Sequence, residues 1–402
     1  MRSASARRIH EAWLRELTSL PTAAGLEGRV ISWIERWVAR RRRLVLKRDR
    51  AGNLVVTQAR QQHTAAKSRP GARRPPPLFI TAHLDHPAFV VLRVNGSHVD
   101  LEFRGGVHDP YFNAASIEIF DASGRAHRAR IVSLDPAALP FKRVTARLDR
   151  TAPAARRRVP EGLSIQPGDI GRWVFPGERV LPRIQGGMLR THACDDLAGA
   201  AAALAAMDVL SRRAGTSHVG LLFTRAEEVG FIGAIAACQA GSVPARARLM
   251  CLETSRSFAD SPIGGGPILR VGDKTSVFAP ELTNALGLLM TEHEKTAPGF
   301  TWQRKLMPGG TCEATTFSTY GYQATCLCLA LGNYHNMTDI DGVAAGKRPA
   351  KVGPEIISVK DFHGLVEMLV VCATRLDSRT RPSLVERMER LMNDHGHVLR
   401  AT

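Results

Sequence analysis

The chain has 402 residues, 44% of them hydrophobic, and a net charge of +18, which indicates a globular protein of two or three domains. No run of about 18 apolar residues occurs, so no transmembrane helix and no membrane partner are expected. The basic excess is concentrated in residues 1–74, which hold 18 Lys and Arg against five acids. This patch lacks zinc-finger spacing and any RNA-recognition signature, so nucleic-acid binding is not expected.

The first residues of the sequence do not lead us to expect a secretory signal. The first 20 residues lack the apolar segment of a secretory signal and contain Glu11 and Glu16. The seven cysteines form no metal-type C-x-x-C pair, which fits reduced thiols. The sequence therefore predicts a cytoplasmic protein.

The N-terminal segment predicts two helices and a two-stranded hairpin. Apolar residues recur at helical spacing over residues 6–20 and again over Leu26–Val38. Two short strands follow, Leu44–Leu46 and Leu54–Thr57. The polar, basic and proline-rich segment Gln58–Pro77 predicts a mobile surface loop.

A buried-type strand, Leu78–Ala82, runs directly into His83-Leu84-Asp85. Side chains alternate along a strand, so His83 and Asp85 are expected to face the same way. An imidazole that binds a metal usually has a carboxylate that fixes its tautomer, and Asp85 suits that role.

The pattern of apolar and polar residues changes over residues 91–187. Short alternating runs there are separated by Gly, Pro, Asp and Asn, which predicts an all-β module. We expect it to be inserted into an α/β domain formed by residues 1–90 and 188–402.

Acidic pairs mark the α/β segment that follows. Asp195 and Asp196 precede an alanine-rich helix, and two adjacent acids exceed what a helix cap needs. Glu227 and Glu228 separate a strand from a helix of small residues. Adjacent carboxylates repel, so we interpret one of the glutamates as a metal ligand and its neighbour as a proton-transfer group.

Four predicted strands share one property, which is that each runs into a histidine or a glutamate. These groups are His83, the Glu227–Glu228 pair, Glu253 after Arg248–Leu252, and His335 after Ala324–Leu331. In open α/β sheets, ligands bind beyond the carboxyl ends of the strands. The sequence therefore predicts one crevice in which two histidines and three carboxylates, including Asp195, hold two divalent metal ions. Zinc suits this donor set, and cobalt or manganese could replace it.

The motifs resemble the dinuclear metallo-aminopeptidases of the tetrahedral and glutamyl aminopeptidase type, including relatives named as endoglucanases. The matching segments are Asp49-x-x-Gly52-Asn53, His83-x-Asp85, Pro167-Gly168-Asp169, Asp195-Asp196-x-x-Gly199, Glu227-Glu228-Val229-Gly230-x-x-Gly233-Ala234, Gly309-Gly310-Thr311 and His335. The resemblance implies a mixed-sheet, zinc-aminopeptidase-like catalytic domain sandwiched by helices. It also implies that the inserted all-β module is a lid or oligomerisation domain of a homo-oligomer such as a dodecamer.

The resemblance also implies roles for individual residues. One metal would be held by His83, Asp195 and Glu253, and the other by Asp195, Glu228 and His335. Glu227 would be the general base and Asp85 the support of His83. The substrate, a peptide, would meet a loop that contains Gly310, Thr311 and Cys312.

The chain departs from the family pattern at several positions. Glu253 stands where the family usually has Asp, and Cys312-Glu313 replaces an Asp after Gly-Gly-Thr. His86 replaces an acid, and Asn336 follows the last histidine. Two alternatives therefore stay open beside an aminopeptidase. One is a deacylase or carboxypeptidase-type amidohydrolase acting on N-acyl amino acids, and the other is a non-catalytic basic binding protein on a hydrolase scaffold.

Overall fold

The computed structural model describes residues 4–59, 75–149, 164–178, 180–378 and 383–400. In chain order, the strands of these residues are β1 (Leu44–Arg48), β2 (Leu54–Gln58), β3 (Leu78–His83), β4 (Ala88–Asn95), β5 (His98–Arg104), β6 (Ser116–Phe120), β7 (Ala126–Asp135), β8 (Lys142–Leu148), β9 (Ile170–Trp173), β10 (Arg183–Gln185), β11 (Met188–Thr191), β12 (Val219–Thr224), β13 (Arg248–Arg256), β14 (Ile268–Gly272), β15 (Gln303–Leu306), β16 (Gln323–Leu331) and β17 (Glu355–Ser358). The α-helices are α1 (Ala4–Leu17), α2 (Gly28–Ala39), α3 (Leu197–Leu210), α4 (Ile232–Ala240), α5 (Pro280–Thr296), α6 (Glu313–Thr319), α7 (Ile340–Ala344), α8 (Val359–Arg375) and α9 (Leu384–His395).

The largest element is a mixed sheet of eight strands in the order β1-β2-β12-β3-β13-β16-β14-β15. Its four central strands, β12, β3, β13 and β16, are parallel to their neighbours in that group. They are almost wholly buried. Burial on both faces explains why these strands read as continuous apolar runs rather than as alternating ones.

Helices cover both faces of this sheet. On β3, Leu78, Ile80 and Ala82 pack into one core with residues of α1, α3 and α8, whereas Phe79 packs into a second core with residues of α4 and α6. Nearly every residue of the alanine-rich helix α3 is buried. The α/β fold that the sequence predicts, with helices on both faces of a mixed sheet, is confirmed.

A closed barrel of six strands, in the order β4-β5-β8-β7-β6-β9, follows β3 directly. Its interior is a cluster of aromatic rings in edge-to-face contact. The ring centroids of Phe89 and Trp173 are 4.7 Å apart, and those of Phe103 and Phe112 are 4.9 Å apart. The first barrel strand begins at Ala88, only five residues after His83 ends β3, so the barrel lies next to the edge where the central strands end.

A three-stranded antiparallel sheet, β10-β11-β17, leads the chain from the barrel back to the central sheet. In its register Thr191 on β11 lies opposite Glu355 on β17. This pairing carries Glu355 to the segment that precedes Asp195.

The predicted helices and main strands are confirmed to within a few residues, with several differences. Strands β10, β11, β14, β15 and β17 were not predicted. The sequence predicts that a strand ends at Leu252, but β13 continues through Glu253 to Arg256 because β16 pairs with it along its whole length. Strand β8 was not predicted, because its exposed positions carry basic residues. Of the predicted loop Gln58–Pro77, residues 60–74 lie outside the described residues.

Among the described helices, none combines the length and the hydrophobicity needed to cross a bilayer.

Candidate metal centre

The carboxyl ends of the central parallel strands meet at one edge of the sheet and carry most of the candidate site. His83 is the last residue of β3, and Glu253 lies near the end of β13. Glu227 and Glu228 lie just beyond β12, and His335 lies just beyond β16. Parallel pairing fixes this convergence, because it aligns the ends of neighbouring strands.

Asp195, just before α3, lies between the two histidines. Its Oδ1 is 3.3 Å from Nε2 of His83, and its Oδ2 is 3.5 Å from Nε2 of His335. Nε2 of His335 is also 3.2 Å from Oε1 of Glu228. One carboxylate that offers a different oxygen to each of two ligand groups is the arrangement that a bridging metal ligand requires.

Three groups of potential ligands share residues within this site, with the ligand atoms of each group within 4.8 Å of one another. They are His83–Asp195–Glu253, His83–Glu227–Glu228 and Asp195–Glu228–His335.

Two carboxylate oxygens of this cluster lack a protein hydrogen-bond donor. Asp195 Oδ1 and Glu228 Oε1 are buried and have no hydrogen-bond partner. Buried polar atoms are almost always paired, because an unpaired one is costly. Imidazole nitrogen and carboxylate oxygen are ligands that divalent zinc, cobalt and manganese accept. The residues present therefore fit divalent cations.

The electrostatics of the acids lead to the same inference. Burial raises the pKa of Glu227 well above its ordinary value, against the opposing charge of His83, and the carboxylate of Glu228 adds to the rise. Burial also raises the pKa of Glu253, with further contributions from Asp195 and Glu227. Several buried carboxylates at one point repel one another unless positive charge is supplied.

Two loop residues of the site adopt left-handed backbone conformations. Ala226, which precedes the glutamate pair, has φ of 53°, and His335 has φ of 52°. Non-glycine residues rarely adopt positive φ, and those that do concentrate at functional sites. In both loops this conformation occurs where the chain turns off a strand to present a ligand side chain.

Asp85 holds the glutamate pair in place. Its Oδ1 and Oδ2 accept hydrogen bonds from the backbone N–H groups of Glu227 and Glu228, each at 3.0 Å. Oδ1 also lies 3.5 Å from Nδ1 of His83. Asp85 thus contacts the histidine that it was predicted to support, and its hydrogen bonds also fix the turn after β12.

The barrel contributes one contact to the centre. Nδ1 of His335 lies 2.6 Å from the backbone oxygen of Gly106, in the loop after β5. A carbonyl oxygen can only accept, so Nδ1 carries a proton, and in the neutral ring Nε2 is the nitrogen that keeps a lone pair. That lone pair faces Asp195 and Glu228, as a metal ligand requires.

Glu355 is a residue of the site that the sequence did not reveal. Its Oε2 accepts hydrogen bonds from the N–H groups of Cys194 at 2.6 Å and Asp195 at 3.1 Å, and its Oε1 accepts one from the N–H of His335 at 2.9 Å. This fully buried carboxylate ties together two segments that carry ligands. An isolated acid in a short strand carries no sequence signal of such a role.

His86 and Asn336, two departures from the family pattern, are also brought to the site. Nδ1 of His86 lies 2.8 Å from the backbone oxygen of Asp195, and Nε2 lies 3.1 Å from Oδ1 of Asn336. Nδ2 of Asn336 donates to the backbone oxygen of His192 at 2.9 Å. These contacts form a buried polar network behind Asp195.

The predicted substrate loop is divided between surface and core. Gly310 is exposed and Thr311 is partly buried, with its hydroxyl 2.5 Å from that of Thr275. Cys312 is fully buried, and its N–H donates to Oδ2 of Asp273 at 3.0 Å. Its thiol packs into the core beneath α4 and α6, so it does not line an open surface.

Comparison with known sequences agrees with this geometry. The sequence model of the M42 glutamyl aminopeptidase family matches residues 65–348, which is more than half of the chain. No curated protein sequence matches the chain.

Several solved structures share the fold at low sequence identity. An aminopeptidase from Desulfurococcus kamchatkensis is 18% identical, with a TM-score of 0.66, and the match covers 94% of this chain and 99% of that one. A TET aminopeptidase from a marine sediment archaeon of the Thaumarchaeota is 16% identical, with a TM-score of 0.67 and coverage of 92% and 98%. The TET1 peptidase of Pyrococcus horikoshii, which can assemble into a tetrahedron or a large octahedral shell, is 18% identical, with a TM-score of 0.64 and coverage of 91% and 99%.

Proposed function

The chain belongs to the M42 glutamyl aminopeptidase family, and from that premise we propose that it is a dinuclear metal-dependent aminopeptidase that removes N-terminal residues from peptides. The observation that carries the proposal is the position of Asp195 between two histidines, each of which also belongs to a separate ligand group. His83, Asp195 and Glu253 would hold one divalent cation, and zinc is the cation that we propose. Asp195, Glu228 and His335 would hold the second.

When bound, the cations would polarise the scissile carbonyl and make water more acidic. Residues of the chain would then transfer protons and hold the reacting groups in position. Glu227, with Oε2 4.0 Å from Nε2 of His83, would take a proton from the attacking water and pass it to the leaving amine. Asp85 would keep Glu227 in position through the backbone bond described above.

We also propose that residues 91–187 form a lid or oligomerisation domain on a catalytic domain of residues 1–90 and 188–402. We further propose that the protein is cytoplasmic and forms a homo-oligomer. Support comes from the barrel, which reaches the centre through Gly106, and from the assembly of the TET1 peptidase, one structure of which is a dodecamer.

The test combines metal analysis with a substrate panel. We expect the purified protein to contain divalent metal, to hydrolyse aminoacyl nitroanilides, and to lose that activity on chelation. Activity only on N-acyl amino acids would instead identify a deacylase. Polyanion binding without any chelator-sensitive hydrolysis would identify a binding protein.

The variant Glu227→Gln separates the base from the ligands. Loss of a general base lowers turnover by about 10²–10⁴-fold, and we expect this loss with the metal content unchanged. Glu228→Gln is the matched comparison, which should lose metal as well as activity. If Glu227→Gln also lost metal, Glu227 would be a ligand, consistent with its place in the group with His83 and Glu228.

A further inference from the structure

Helix α9 carries an apolar stripe that is open to solvent. None of its residues is buried. The stripe consists of Leu384, Val385, Met388, Leu391 and Met392, and Val398 continues it in the 3-10 turn after the helix. Val385 is 66% exposed and Met392 is 58% exposed. Contiguous exposed apolar surface of this kind marks an interaction site.

The N-terminal end of α9 is well defined, although none of the residues that the structure describes buries its apolar stripe. Oγ of Ser383 accepts a hydrogen bond from the N–H of Glu386 at 3.0 Å, and the N–H of Ser383 donates to Oε2 of Glu386 at 3.3 Å, which is a complete capping box. A helix of 12 residues is marginal in water on its own and owes its stability to packing of its apolar face. The capped helix is therefore suited to a partner that covers the stripe.

The spacing of the stripe specifies how the partner packs. Leu384, Met388, Leu391, His395 and Val398 are separated alternately by four and three residues. Within α9, the positions from Leu384 to His395 have the spacing of a coiled-coil seam, in which side chains of one helix fill holes in another helix. The partner expected for such a seam is an α-helix.

We propose that the partner is α9 of a second copy of this chain, packed antiparallel. In that arrangement Leu384 lies opposite His395 of the second copy, and Met388 lies opposite its Leu391. Arg387 and Asp394, which are seven residues apart on the same edge of the seam, then face each other across the interface. The two-fold axis makes this ion pair twice, and the other edge pairs Val385 with Met392.

The charges of α9 favour an antiparallel second copy over a parallel second copy and over a membrane surface. A parallel pair would place Arg387 opposite Met392 and would stack His395 on its own copy, so neither charged edge residue would be paired. A membrane surface fits poorly, because interfacial helices are rich in Lys and Arg. The helix instead carries Glu386, Glu389 and Asp394 against Arg387 and Arg390. The proposed contact lies outside residues 65–348 and does not depend on peptidase activity.

A charge-swap series in the full-length protein tests the contact. Association is measured by sedimentation velocity over a dilution series. We expect Arg387→Asp and Asp394→Arg each to raise the dissociation constant of the α9 contact by about tenfold or more, because each places like charges face to face. The double variant Arg387→Asp/Asp394→Arg should return the dissociation constant to that of the unsubstituted chain. Glu389→Arg, on the outer face of the same helix, is the control and should change nothing.

A thiol experiment tests the orientation independently of any other contact between copies. Leu384→Cys chains mixed with His395→Cys chains should form a disulfide-linked dimer on mild oxidation. Neither variant alone should do so, because in an antiparallel pair each residue is about 16 Å along the axis from its own copy, whereas a disulfide needs Cα atoms within about 7 Å. The unsubstituted chain controls for its native cysteines.

Three outcomes would overturn the proposal. The first is self-linking of Leu384→Cys alone, which indicates a parallel pair. The second is binding to anionic or zwitterionic vesicles that Leu391→Glu abolishes while the mass in solution stays constant. The third is a lower melting temperature for Leu391→Glu without any change in mass, which means that α9 packs on its own chain.

Discussion

His86 and Asn336 are hydrogen-bonded to each other behind Asp195, with 3.1 Å between Nε2 and Oδ1. Each of these residues departs from the family pattern, and the structure makes them partners. Both side chains are buried, so each depends on the other for a hydrogen bond that water cannot replace. The two departures are therefore best understood as one paired change.

We predict that His86 and Asn336 are energetically coupled. Each single substitution by Ala should lower the free energy of unfolding by about 1–3 kcal/mol, because it leaves a buried polar group unpaired. The double variant should cost clearly less than the sum of the two. Chemical denaturation of the four proteins of this double-mutant cycle measures the coupling, and strictly additive losses would contradict it.

Glu355→Gln should weaken metal binding without touching a ligand. The amide has one acceptor oxygen in place of two, so it cannot accept from Cys194, Asp195 and His335 as the carboxylate does. Loss of a residue that orients ligands typically lowers metal affinity by about 10–100-fold. Competition with a chelator measures the affinity. Glu294→Gln, at an exposed position of α5, is the control. Equal affinity in both variants would show that Glu355 has only a structural role.

Glu253→Asp should affect one metal site and spare the other. The change withdraws the carboxylate by about 1.5 Å, the length of one carbon–carbon bond. We expect a metal titration to show one weakened and one unchanged binding constant, since Glu253 belongs only to the group with His83 and Asp195. Glu228→Asp should give the complementary result at the group with His335. Unchanged constants in Glu253→Asp would remove Glu253 from the ligand set.

Asp121 should make the stability of the barrel depend on acid pH. Hydrogen bonds from His127, Ser123 and Ser164 hold the pKa of this carboxyl well below its usual range. A lowered carboxyl pKa in the folded state stabilises above the unfolded pKa of about 4, and this stabilisation is lost as the pH falls further. Asp121→Asn should therefore lower the melting temperature at pH 7.

The difference between Asp121→Asn and the unsubstituted chain should shrink as the pH falls below about 4, because the carboxyl group of the unfolded chain is protonated there while the native carboxylate still resists protonation. Thermal unfolding at several pH values measures it. Asp100→Asn, a partly buried barrel acid paired with the exposed Arg93, is the control. A pH-independent difference would show that the charge of Asp121 does not contribute.

The sequence predicts the four central strands of the large sheet well because they are buried on both faces and read as unbroken apolar runs, as Leu78–His83 does. Strands β14 and β15 at one edge of that sheet were not predicted. It also predicts the convergence of the candidate ligands, because the carboxyl ends of parallel strands lie at the same edge of a sheet. Strand β8 escapes prediction because Lys142 and Arg143 begin it and its hydrophobic positions are few.

The supporting residues are not predictable in the same way. Glu355 contacts Asp195, which lies 160 positions away, and only the pairing of β11 with β17 brings them together. The polar partners of His86 are likewise set by tertiary packing. Cys312 was expected at the substrate, but it directly precedes α6 and its side chain packs into a core, which the motif alone does not reveal.

The hydrogen bond from His335 to the barrel ends on a main-chain oxygen, and this limits how it can change. Replacing Gly106 alters a side chain but leaves that carbonyl in place, so no point mutation deletes the acceptor. Only a shift of the backbone, from a longer or shorter loop or a tilted barrel, can release the imidazole. A shift of the whole barrel can thus change the orientation of the His335 imidazole during evolution while every ligand residue stays the same.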